Sequence, residues 1–306
     1  MPSWIPGRAT RFRLAVALLL GATACSGGPR PDPAPSADRA TALLAGSDRF
    51  FSAAGVRLRY REIGAGDPIV LLHGFGQRLE AMSELADSLA VDHRVIVLDQ
   101  RGSGESTKLS DPSRFGREMA DDVVRLLDHL RISQAHLVGH SMGALVAANV
   151  AARHPSRVAS VALVAGPFYP DSAAFAAFAS PWIAGLERGD GISPLIAWLI
   201  PGTPDSLAAM ASAAVIAEND VASLIAMMKG MAGLVVPAER LDRTRIPALI
   251  AVGTEDPLLP RSRELADRWR TARYLQVDGA DHGEIITRPE TLTAIRALLA
   301  ASKARA

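Results

Sequence analysis

A serine becomes a nucleophile only in particular company, and the string Gly139-His140-Ser141-Met142-Gly143 gives one serine of this chain that setting. An apolar run, Ala135 to Val138, leads into it, and an alanine-rich, helix-forming stretch, Ala144 to Ala152, follows. Two glycines around the serine allow a sharp, strained turn between strand and helix, because residues without side chains let neighbouring backbone come close. The hydroxyl is weak at neutral pH and needs a base, an acid to orient that base, and donors for the oxyanion that develops on the substrate. His282 is the candidate base, in the glycine-flanked loop Asp278-Gly279-Ala280-Asp281-His282-Gly283. Asp256 is the candidate acid, in Gly253-Thr254-Glu255-Asp256-Pro257 behind the apolar run Ala248 to Val252. Glu255 and Asp281 remain open for the same role, since such a relay is defined by geometry rather than by sequence position. In His73-Gly74-Phe75-Gly76, behind the run Pro68 to Leu72, the glycines let backbone N–H groups approach a substrate oxygen. Phe75 and Met142 are the candidate oxyanion donors, both through their backbones.

These residues need a frame that brings distant loops to one place. Short runs bounded by Gly and Pro predict eight strands: Arg49 to Ala53, Val56 to Glu62, Pro68 to Leu72, Arg94 to Leu98, Ala135 to Val138, Val158 to Val164, Ala248 to Val252 and Arg273 to Val277. Helical patterns at Leu79 to Ala90, Arg117 to Leu130, Met142 to Arg153, Arg261 to Trp269 and Pro289 to Ala300 alternate with the later strands. That alternation predicts an α/β fold with a mostly parallel, doubly wound sheet, its first two strands forming an antiparallel hairpin. Pro167 to Arg245 interrupts the pattern with apolar helical segments.

The order of the motifs, together with Leu98-Asp99-Gln100-Arg101-Gly102-Ser103-Gly104-Glu105-Ser106, resembles the α/β-hydrolase superfamily from about residue 49 to 300. The resemblance implies an eight-stranded sheet with a helical cap after the sixth strand, at about 167–245, within a domain running over 42–306. It implies Ser141 as nucleophile, His282 as general base, Asp256 as the orienting acid, and the backbones of Phe75 and Met142 as the oxyanion hole, with no cofactor. The chain is similar to cap-bearing esterases, cofactor-free perhydrolases and carbon–carbon bond hydrolases. The implied activity is hydrolysis of carboxylic esters or similar acyl compounds, with carbon–carbon cleavage or perhydrolysis by the same triad as the alternative. A non-catalytic binding module is the remote alternative, because fold does not imply function. Asp99 and Arg101 read as structural residues that fix their loop. His73 and His140 flank the site but have no metal-binding spacing, and no metal is expected.

Composition narrows the partners. The 306 residues are 49% hydrophobic with a formal net charge of +1, enough apolar content for one large core and no basic stripe for nucleic acid. Phe168, Tyr169, Phe175, Phe178, Trp182, Trp198, Met210, Met227, Met228 and Met231 supply either an apolar channel lining or packing against the domain below. Between Gly191 and Ala217 only Asp205 is charged, which favours a neutral or apolar acyl substrate. At the amino terminus, Arg8, Arg11 and Arg13 precede the apolar stretch Leu14 to Leu20 and a small-residue segment ending at Cys25, the chain's single cysteine. This reads as a signal peptide over 1–25, too short in its apolar part to span about 30 Å of hydrocarbon. It resembles a bacterial lipoprotein signal in which Cys25 is lipidated, although Ala22 stands where such signals usually carry Leu; secretion by a cleaved signal that leaves Cys25 a free thiol is the alternative. The proline-rich segment 26–41 then reads as a tether, and the protein as exported and membrane-anchored.

Overall fold

The computed structural model describes residues 42–304; the signal-like segment with Cys25 and the tether over 26–41 lie outside them. Eight strands form one sheet: β1 (Arg49–Ala53), β2 (Val56–Ile63), β3 (Asp67–Leu72), β4 (His93–Leu98), β5 (Ala135–His140), β6 (Val158–Val164), β7 (Ala248–Gly253) and β8 (Ala272–Val277). Their order is β1-β2-β4-β3-β5-β6-β7-β8. β2 runs antiparallel to both its neighbours, and the pairs from β4 through β8 are parallel. The predicted doubly wound α/β sheet is present, with each apolar run seated in its own strand.

The helices are α1 (Ala42–Ala45), α2 (Ser83–Leu89), α3 (Arg117–His129), α4 (Met142–Arg153), α5 (Ser172–Arg188), α6 (Ser193–Leu199), α7 (Asp205–Glu218), α8 (Val221–Gly230), α9 (Ala238–Arg243), α10 (Leu259–Arg268) and α11 (Pro289–Ala301). Successive side chains on a strand point to opposite faces, and the two faces feed two cores. Ile69, Leu71, Val95 and Val97 pack with Leu85 and Leu89 of α2 and Ile295 and Leu299 of α11. Val70, Leu72, Ile96 and Leu98 pack with Val123 and Leu126 of α3 and Val146 and Val150 of α4. Strands β5, β6 and β7 are buried at every position, as a parallel sheet covered on both faces requires. Helix α4 is buried from Met142 to Ala151, so the element that follows the serine is enclosed on all sides.

Helices α5 to α9 form the insertion between β6 and β7. Among the described residues no single helix is long and apolar enough to cross a membrane.

The loop after β4 is held by charge. Asp99 is fully buried; its Oδ1 accepts from the Leu79 N–H at 2.7 Å, its Oδ2 from the Glu105 N–H at 2.9 Å, and Arg59 donates to it at 3.1 Å. Arg101, also fully buried, donates to both oxygens of Asp122, each at 2.7 Å. The structural reading of Asp99 and Arg101 therefore extends to side-chain ion pairs. Truncating one partner of such a pair leaves an uncompensated charge in the interior. Asp122→Ala should lose about 3–5 kcal/mol of stability in urea unfolding, whereas Arg188→Ala, from an exposed pair, should stay within about 0.5 kcal/mol.

Candidate active site

Four loops leave parallel strands at their carboxyl ends and meet. The turn after β5 carries Ser141 at φ +54° and ψ −113°, a backbone conformation that side chains rarely adopt. Both flanking glycines are required by space: a Cβ on Gly139 would collide with the Gly143 carbonyl, and one on Gly143 with the Leu72 carbonyl. The Ser141 N–H donates to the Val164 carbonyl at 2.9 Å, which pins the turn to β6.

His282 lies in the loop after β8 and is buried. Its Nδ1–H donates to Asp256 Oδ2 at 2.9 Å, and its Nε2 stands 2.9 Å from Ser141 Oγ. A carboxylate can only accept, so the proton sits on Nδ1 and Nε2 is left to accept from the serine hydroxyl. The other Asp256 oxygen accepts from the Leu258 N–H at 2.8 Å. Of the three carboxylates the sequence leaves open, Asp256 is the one against the imidazole. Glu255 is exposed, and Asp281 Oδ1 accepts from the Gly283 and Glu284 N–H groups, both at 2.8 Å, shaping the histidine loop instead.

The loop after β3 is fastened from three sides. His73 Nδ1–H donates to the Gly74 carbonyl at 2.8 Å while its Nε2 accepts from the Gln100 N–H at 3.2 Å; burial pushes its pKa down, in keeping with this neutral tautomer. Gln77 Oε1 accepts from the Gly74 N–H at 2.9 Å. Asn219, just past α7, donates its amide to the Gly76 carbonyl at 3.0 Å and to the Val215 carbonyl at 2.9 Å. Phe75 and Ser141 both line the resulting cavity. Met142 is the first residue of α4, so its N–H has no carbonyl a turn behind it and is available to a ligand.

His140 joins the elbow to the histidine loop. Its Nε2–H donates to the His282 carbonyl at 2.8 Å, and the two rings lie 5.2 Å apart. Burial and the neighbouring His282 push its pKa down to about 4. His136, inside β5, is likewise pushed down to about 4 by burial, with Nδ1 at 2.8 Å from Ser160 Oγ.

A cavity of about 140 Å³ opens over Ser141 and His282. Its apolar wall is aliphatic: Ile192, Leu195, Ile196, Leu199, Ile200 and Val215, from α6, α7 and their approaches. The ten aromatic and methionine residues offered as a channel lining are absent from this wall. Tyr169, Phe175, Phe178, Trp182 and Trp198 stack on one another at centroid distances of 5.1 to 6.1 Å. Phe168, Met227, Met228 and Met231 are buried in the core, and Met210 is exposed. The packing alternative is the one realised. A wider, open depression of about 650 Å³ between α4 and α9 contains no member of the Ser141–His282–Asp256 relay.

The comparisons agree with this architecture. A family model described as alpha/beta hydrolase fold matches residues 67–197. The dihydrolipoyllysine-residue acetyltransferase component of the acetoin cleaving system of Pseudomonas putida is 47% identical over 113 residues, covering 36% of this chain and only 30% of that protein. The (E)-2-((N-methylformamido)methylene)succinate hydrolase of Acinetobacter baylyi is 26% identical over 236 residues, 76% of this chain and 89% of that enzyme. Among solved structures, the enol-lactonase of Burkholderia xenovorans LB400 superposes with a TM-score of 0.72 at 22% identity, over 82% of this chain and all of that one.

The buried histidines with lowered pKa, His73, His136 and His140, make stability depend on pH. An unfolded histidine titrates near 6.5. Between about pH 6.5 and 4 the unfolded chain therefore binds protons that the fold refuses, so stability falls as pH is lowered through that window and levels off below it. His140→Gln keeps an N–H for the His282 carbonyl but cannot titrate. The drop in urea midpoint from pH 7 to pH 4.5 should be smaller in this variant than in the parent, and an equal drop would assign the effect elsewhere.

Proposed function

We propose that the chain is a serine hydrolase of carboxylic esters or similar acyl compounds, built on the alpha/beta hydrolase fold whose family model matches residues 67–197. The observation that carries this reading is the unbroken relay from Asp256 through His282 to Ser141, with both links at 2.9 Å, ending at the floor of an apolar cavity. In this reading the inserted helices serve as a cap over the site.

His282 Nε2 takes the proton of Ser141 as its oxygen attacks the substrate carbonyl. Asp256 holds the imidazole in the needed tautomer and stabilises its cationic form. The negative charge on the tetrahedral oxygen is received by the N–H groups of Phe75 and Met142. Collapse expels the alcohol, which takes the proton from His282, and leaves the acyl group on Ser141. Water then enters and gives a proton to His282 as its oxygen attacks the acyl carbon, and collapse returns that proton to Ser141 Oγ as the acid leaves. His140 supports the cycle in its neutral form, because a second positive charge beside His282 would oppose formation of the imidazolium.

The same reading places the protein outside the cytosol, anchored through a lipid on Cys25, with the segment over 26–41 as the spacer. The supporting feature is the sequence pattern over 8–25.

A fluorophosphonate probe should label Ser141, located by mass spectrometry, and the label should be lost in His282→Ala. Ser141→Ala should remove nearly all turnover of a short-chain nitrophenyl ester, and Asp256→Asn should lower kcat by roughly 10⁴-fold with the fold intact. Turnover by Ser141→Ala close to the parent's would overturn the assignment.

A further inference from the structure

We propose that Asn219 is a positioning residue for the oxyanion hole: its side-chain amide, fixed to the end of α7, holds the corner of the turn from which Phe75 offers its N–H. This rests on the serine hydrolase reading above and adds to it a residue from the inserted helices.

The turn that carries Phe75 is fastened unevenly. The Gln77 N–H donates to the Gly74 carbonyl at 3.3 Å and closes a four-residue turn with Phe75 and Gly76 at its corner. Two further bonds, from His73 Nδ1–H to the Gly74 carbonyl at 2.8 Å and from the Gly74 N–H to Gln77 Oε1 at 2.9 Å, also meet at Gly74. None of the three reaches the corner. Gly76 has φ +70°, a region that glycine enters freely, so its own torsions do little to hold the corner in place. The Phe75 N–H makes no hydrogen bond among the described residues.

The corner is held from α7 instead. Asn219 Nδ2 donates to the Val215 carbonyl, four residues back, at 2.9 Å and to the Gly76 carbonyl at 3.0 Å. Both partners can only accept, so it is the amide nitrogen that faces them. The bond to Val215 orients the side chain on its own helix, and the second N–H is thereby aimed at the turn. Val215 adds a contact of its own, since a Cβ on Gly76 would come within 2.9 Å of its Cγ1. The other tie between these segments, Arg78 to Glu218 at 3.4 Å, joins side chains that are 41% and 44% exposed, where an ion pair contributes little.

An oxyanion donor acts only if it stands at hydrogen-bond distance from the oxygen of the tetrahedral state. Neither Asn219 nor Gly76 is part of the cavity wall, so losing their bond leaves the surface that receives the substrate as it was. The loss falls on the transition state, through the Phe75 N–H, rather than on substrate binding.

The test is Asn219→Leu, similar in volume and without a donor, assayed at pH 8 on 4-nitrophenyl butanoate and on the trifluoromethyl ketone that bears the same propyl chain. Ser141 Oγ adds to that ketone's carbonyl carbon, its proton passes to His282, and the former carbonyl oxygen becomes an oxyanion in the hole with no group expelled. The variant should lose about 10- to 100-fold in kcat with KM within about threefold of the parent's. Its inhibition constant for the ketone should rise by the factor that kcat/KM falls. Asn219→Asp keeps the size, and its carboxylate can only accept; it should repeat this pattern and gives the reading if the Leu variant does not fold in urea unfolding. Glu218→Gln, which breaks the exposed pair between the same segments, should keep kcat within about twofold. Three results would each overturn the inference while the hydrolase reading stands: kcat of a folded Asn219 variant within twofold of the parent's, a loss carried by KM with ketone inhibition unchanged, or an equal loss of kcat in Glu218→Gln. No turnover by the parent, with no labelling of Ser141, would overturn the hydrolase reading and this inference with it.

Discussion

The backbone at Ser141 holds a φ of +54°, and the geometry of the site depends on keeping it there. A non-glycine residue in such a conformation costs on the order of 1–3 kcal/mol and persists only where its surroundings over-determine it. Here the surroundings are a strand buried at all six positions, a helix enclosed for its first ten residues, and two glycines that fit only without a Cβ. The turn in consequence aims the hydroxyl away from the sheet and leaves the N–H of Met142 open beside it. Packing over the middle of the molecule is thus spent on fixing one torsion.

Around that fixed point the loops are joined by neutral histidines acting as structural donors. His73 spans the loop after β3 and the loop after β4, and His140 ties the elbow to the backbone of His282. Burial disfavours the charged form of both rings, so their hydrogen bonds persist without adding positive charge near the base. His282 differs from them in having a carboxylate on one side and a hydroxyl on the other. One residue type performs two tasks here, distinguished by what faces each nitrogen.

Ser141, His282 and Asp256 were legible in the amino-acid order because each follows an apolar strand run and sits among glycines that mark a tight turn. That signal is local, and so was the sheet, whose apolar runs seat in the eight strands with ends shifted by a residue or two. The choice of Asp256 over Glu255 and Asp281 was not local; it depends on which loop folds against which ring. Asn219 carried no signal at all, since it stands in no motif and matters through Gly76, distant in sequence. The inserted helices were the least legible part. Alanine-rich segments such as Asp205–Glu218 are apolar on nearly all faces, so periodicity does not say which side meets the cavity. For the large aromatic side chains the sequence left both a channel lining and packing open; they found each other and left most of the wall to Ile, Leu and Val.

Asn219 joins the end of α7 to the loop after β3, alongside the Arg78–Glu218 pair at 3.4 Å. Its amide holds the carbonyl of Gly76, one residue beyond Phe75, while it also closes the last turn of α7. Helix α7, which lines the cavity through Val215, and the loop that carries Phe75 are therefore joined at this point. The backbone beside Phe75 and the end of the cavity-lining helix α7 thus share one side-chain amide.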